Sequence, residues 1–220
     1  SLPAIPAIST SPQKPINQPT QITQSQTNTG SNAQIPPQVQ NQSPSIEQSK
    51  PIDKPVASID TLRDIENQRN PRKGIEVKIT KPTLKINQDY LNLQVKSNQD
   101  GYLYIVLLGS DQKSFYLLYP NKLDKDNLIK ANVAQQLPGK NWQIKAVGPP
   151  GKNYLLLMVS ETPRDLSKLE VQGGDSNSPF LYSFANITGR TNLISYLTNS
   201  RDQNQSEKFS AKLISINEVK

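Results

Sequence analysis

Residues 102–119 read Tyr102-Leu-Tyr-Ile-Val-Leu-Leu-Gly-Ser110-Asp-Gln-Lys-Ser-Phe115-Tyr-Leu-Leu-Tyr119, and this stretch decides the fold class. Tyr102 to Leu108 is an unbroken run of apolar and aromatic side chains rich in strand formers. Ser110-Asp111-Gln112-Lys113-Ser114 interrupts it with turn-forming residues, and Phe115 to Tyr119 resumes it. Two such runs joined by a short polar turn predict a β-hairpin. Tyr102 and Tyr104 lie on one strand face, and Tyr116 takes an alternating position on the partner strand.

The same signal extends in both directions. Asp100-Gly101 is a turn that precedes the hairpin. Upstream, Leu91, Leu93 and Val95 alternate with polar residues, as do Ile75, Val77 and Ile79, which predicts half-buried strands. Residues 56–69 change period: Ile59, Leu62 and Ile65 share a helical face, Ser58 is a candidate N-cap, and Asp60 sits in the first turn. Pro71 and Gly74 stop that helix. Downstream, Pro120-Asn121 closes the hairpin. Leu137-Pro138-Gly139-Lys140 turns the chain before Trp142, Ile144 and Ala146, which share one face. Gly148-Pro149-Pro150-Gly151 is a hard break. Tyr154 to Ser160 does not alternate, because Leu155 to Val159 are all apolar. It is therefore expected at the centre of a sheet, covered on both faces, with the 58–69 helix on one of them. Leu181–Ala185 and Leu213–Val219 are later strands. Short strands with frequent turns make the expected fold mainly β, with sandwich-like antiparallel sheets and a short N-terminal helix.

Residues 1–55 differ in kind. They are rich in Pro, Gln, Ser, Asn and Thr, and every aromatic of the chain lies at Tyr90 or beyond. Such a segment buries too little apolar surface to offset about 1–2 kcal/mol of backbone entropy per residue. It is expected to be a disordered, semi-extended leader or tether, with residues 56–220 forming a β-rich globular domain. The sequence opens on Ser1, as expected of a processed protein or an excised portion of one. Its first residues resemble the stretch that follows a signal peptide or membrane anchor. The expected location is periplasmic or secreted.

The chain contains no His and no Cys. That excludes a Ser-His-Asp triad, a cysteine nucleophile, disulfides and a structural zinc site. The Gly148–Asn153 segment lacks phosphate-loop spacing, and its two prolines remove amide donors. Asp124, Asp126 and Asn127 do not follow a calcium-loop pattern and read as a solvated turn. Neither a metal nor a cofactor is expected. The formal charge of +7, from 25 basic and 18 acidic residues, is dispersed rather than gathered into a nucleic-acid patch. No apolar run reaches the ~20 residues of a membrane-spanning helix. The class left standing is a non-catalytic binding or scaffold module. Its expected partner is a protein of the cell envelope, with a glycan or anionic lipid as other ligands, and its oligomeric state is open. Paired carboxylates could still support a carbohydrate-active enzyme, the lesser alternative. Tyr102, Tyr104, Tyr116, Tyr119 and Trp142 are the binding candidates, since their apolar bodies and polar tips suit interfaces. The competing reading is core filling.

Asp-Gly-Tyr-Leu-Tyr (100–104), Leu-Tyr-Pro-Asn (118–121), Leu-Pro-Gly (137–139), Gly-Pro-Pro-Gly (148–151) and Val-Ser-Glu-Thr-Pro-Arg-Asp-Leu (159–166), in that order, resemble an uncharacterised bacterial β-domain family. That family occurs at the C-terminal end of receptor-type Ser/Thr kinases, some linked to type VI secretion, and beside caspase-like proteases. The resemblance spans about residues 58–219. It implies an extracytoplasmic β-domain of unknown ligand, with a sensor role in a kinase-type receptor system as the alternative to a scaffold. It assigns no catalytic residue. Many members carry a Cys pair near the C-terminal end. This chain lacks it, so residues 186–210 are expected to be arranged differently. Asn121 and Arg164, which stand inside two of these motifs, complete the candidate binding set.

Overall fold

The computed structural model describes residues 58–169, 171–174, 178–198 and 209–220. The expected disordered leader, residues 1–55, lies outside them. The described residues are mainly β. They comprise helix α1 (Ser58–Asn67), strands β1 (Ile75–Ile79), β2 (Thr83–Lys85), β3 (Leu93–Ser97), β4 (Gly101–Leu108), β5 (Ser114–Tyr119), β6 (Leu128–Ile129), β7 (Ala134–Leu137), β8 (Gly151–Ser160), β9 (Gln172–Gly173) and β10 (Leu181–Phe184), helix α2 (Ile187–Thr198) and strand β11 (Phe209–Val219).

The strands form two sheets. The larger has eight strands in the order β2-β11-β8-β4-β5-β10-β9, with β6 pairing β4 off that path; the smaller runs β1-β3-β7. Pairing is antiparallel except at one edge, where β2 runs parallel to the end of β11 through Thr83↔Asn217 to Lys85↔Val219. That short pairing departs from the all-antiparallel expectation. A parallel neighbour needs a long crossover, and here the chain between β2 and β11 supplies it.

As expected, β8 is central, flanked by β4 and β11. Its alternate residues enter different cores. Leu155, Leu157 and Val159 meet Ile75, Leu93, Val95 and Leu137 of the small sheet. Leu156 and Met158 meet Ile59, Leu62 and Ile65 of α1 together with Leu193 and Leu197 of α2. The layers are therefore helices, large sheet and small sheet, and the uninterrupted apolar run in β8 follows from burial on both sides.

The Ser58 hydroxyl donates to the Gln112 carbonyl at 3.0 Å and so ties the start of α1 to the hairpin turn. One local feature departs from the sequence reading: the hairpin is not regular. Ile105 pairs with Tyr119 but Val106 pairs with Leu117, so Leu118 is an extra residue. This bulge places both Leu118 and Tyr119 in the core under the small sheet, whereas Phe115 and Leu117 face the helices.

Candidate functional site

The seven candidate residues separate into three places. The first is packing. Tyr119 and Trp142 are 1% and 3% exposed, and their rings stack with centroids 6.1 Å apart. Each polar tip has an internal acceptor: the Tyr119 hydroxyl donates to the Asp126 carbonyl at 2.5 Å, and Trp142 Nε1 donates to Asp124 Oδ2 at 3.0 Å. Burial and the adjacent acidic side chains hold the Tyr119 phenol above its ordinary pKa. Asn121 is buried beside them. Its amide donates to the Leu118 carbonyl, and its Oδ1 accepts from the backbone of Leu123 and Asp124. This network closes the turn after the hairpin and occupies the Asp124 carboxylate and the Asp126 carbonyl.

The second place lies on the helix side of the sheet. Tyr102 is half-buried against the helix-side core. Tyr104 is buried, and its hydroxyl accepts from the Arg164 backbone N–H at 2.6 Å. Its ring meets Tyr196 of α2 edge-on, centroids 6.0 Å apart. The structure thus brings Tyr104 and Arg164 together, and adds Tyr196. Burial lowers the Arg164 pKa from its ordinary value and raises that of Tyr196.

The third place is open at one end. Tyr116, half-buried against the core under the small sheet, faces Tyr182 across the β5–β10 pair, and Phe184 follows two residues along β10 on the same face. Centroids are 5.7 Å apart from Tyr116 to Tyr182 and 5.9 Å from Tyr182 to Phe184. Tyr182 is held by its hydroxyl, which donates to Gln172 Oε1 at 2.8 Å. Phe184 is 52% exposed, and Ile187, three residues on, is 76% exposed. Beside them lies an open hollow of about 330 Å³ lined by Val171, Gln172, Tyr182, Phe184, Asn186 and Gly189 among others.

Local chemistry builds this edge. The Asn186 side chain accepts from the Gly189 N–H at 2.8 Å and caps α2. Gly189 presses on the end of β10: a Cβ there would lie 1.8 Å from the Phe184 carbonyl oxygen. Strand β9 pairs only with Leu181 and Tyr182, so among the described residues no strand covers the outer flank of Ser183 and Phe184. The sequence reading marked Tyr116 but not Tyr182, Phe184 or Ile187. The signal was present as an aromatic at alternate positions of an expected strand, followed by an apolar residue after a turn.

No curated protein and no solved structure matches the chain significantly. Residues 83–163, a narrower stretch than the 58–219 of the motif resemblance, match the family model described as Domain of unknown function (DUF4384).

Proposed function

We propose that the chain is a non-catalytic binding module of the cell envelope that docks a protein partner on the aromatic row of β10. The observation that carries this reading is the row Tyr116, Tyr182 and Phe184, which ends in half-exposed Phe184 beside exposed Ile187. Exposed apolar surface of this kind suits a protein partner whose side chains meet the rings. The row favours a polypeptide over a glycan. The Tyr182 and Phe184 rings stand at 86°, so they offer no flat platform for sugar faces. The absence of His and Cys from the sequence supports a role without catalysis, and the Pro- and Gln-rich leader supports a tethered, extracytoplasmic domain. Membership of an envelope-spanning or secretion assembly rests on the motif resemblance.

The test compares the full chain with Phe184→Asp and Ile187→Asp variants as bait in detergent-solubilised envelope fractions. A partner retained by the parent and lost from both variants is expected, with unchanged melting temperatures. A partner retained equally by all three would remove the Phe184–Ile187 surface as the docking site.

A further inference from the structure

Arg164 follows β8 in the loop Glu161–Asp165. It is 8% exposed, yet among the described residues its Nε and Nη2 have no hydrogen-bond partner. Only Nη1 is engaged, with Thr162 Oγ1 at 3.4 Å. None of the ion pairs among the described residues includes it. The Tyr196 hydroxyl, buried and near enough to influence the Arg164 charge, is also without a partner.

A guanidinium keeps its charge when desolvated, because its intrinsic pKa is above about 12. A buried cation without an acceptor is costly unless something pairs it. The two unengaged nitrogens are informative. Nε–H and one Nη2–H lie side by side and form the fork that two oxygens of one planar oxyanion can accept together. A neutral water could accept from these donors but would leave the charge unpaired.

We infer that the Arg164 fork, with the Tyr196 hydroxyl beside it, is a binding site for a carboxylate group. Tyr104 positions it by accepting the Arg164 backbone N–H, and α2 supplies Tyr196. Glu161, Thr162, Pro163 and Asp165 around it are exposed, so the loop that carries the fork borders solvent. The site lies on the helix side of the sheet and is independent of the β10 aromatic row.

The experiment follows thermal melting of the full chain in sodium formate against sodium chloride at equal ionic strength, with phosphate as a third arm. Formate is expected to raise the melting temperature of the parent protein. That rise should vanish in Arg164→Lys, which keeps the charge but loses the fork, and shrink in Tyr196→Phe. Equal formate responses in parent and variants overturn the proposal. A phosphate response equal to or larger than that of formate, and abolished by Arg164→Lys, overturns the carboxylate assignment. Should Arg164→Lys not fold, the Arg164 Nε–H resonance of the labelled parent decides: a saturable shift with formate supports the site, and an unmoved resonance overturns it.

Discussion

Leu156 and Leu157 are sequence neighbours that belong to different cores, one under the helices and one under the small sheet. Both are at most 1% exposed. Truncation of either therefore removes fully buried methyl groups, and Leu156→Ala and Leu157→Ala are each expected to cost about 2–5 kcal/mol. Urea denaturation of the two variants checks this, and one severe with one neutral result would contradict a doubly covered β8. Leu91 and Asn92, by contrast, are buried and exposed in turn, so their alanine variants should differ strongly. At this scale aliphatic burial was legible, because alternation or its absence reports which faces are covered. The fate of the aromatics was not. A tyrosine or tryptophan suits a core once its polar atom has an acceptor, and the acceptors of Tyr119 and Trp142, the Asp126 carbonyl and the Asp124 carboxylate, are supplied by a turn whose shape composition does not convey.

Among the elements, β11 carries a carboxylate with a long-range task. Glu218 Oε2 accepts from the Gly148 N–H at 2.6 Å and so anchors the Gly148-Pro149 turn to the last strand. Burial raises its pKa above the ordinary 4.5, against the opposing effect of the Gly148 and Val147 amides. The native state then holds this proton more tightly than the unfolded chain. Its contribution is full below 4.5 and is lost as pH rises through the higher native value. Glu218→Gln, whose amide oxygen can still accept from Gly148, is expected to remove this falling component. Asp89 and Asp100 shift downward through their hydrogen bonds with lysine and backbone partners, but they are common to both proteins and cancel in the difference. Urea midpoints of parent and variant across the acid-to-neutral range check the sign: the variant should gain on the parent as pH rises, and parallel profiles would contradict it. The periodicity of α1 and of β1, β3, β4, β5 and β8 was readable beforehand. Helix α2 was not, since Ile-Thr-Gly-Arg-Thr-Asn opens it with β-branched residues and a glycine of low helix propensity. It is held by tertiary packing of Leu193, Tyr196 and Leu197.

For the whole molecule, the composition change near residue 55 marks where the expected leader gives way to the expected domain. Limited proteolysis of the full chain is expected to trim it to a resistant fragment beginning near that residue, because the leader lacks the aromatics and apolar density for a core. Mass spectrometry of the fragment checks this, and protection of residues 1–50 in the isolated protein would contradict it. The described residues use both sides of one large sheet, so two cores share β4 and β8.

The sequence by itself determined that the chain is mainly β after a short amphipathic helix, that Tyr154–Ser160 is central, and that His- and Cys-dependent chemistry is excluded. These follow from composition and from side-chain periods of two and 3.6, which are local properties. The tertiary structure alone decided that Tyr116 joins Tyr182 and Phe184 in a partly exposed row while Tyr119 turns inward, and that Arg164 meets Tyr104 and Tyr196. A single extra residue at Leu118 redirects Tyr119, the residue after it on that strand, and Tyr104 and Tyr196 meet only because β4 and α2, far apart in the chain, pack on the same face of the large sheet.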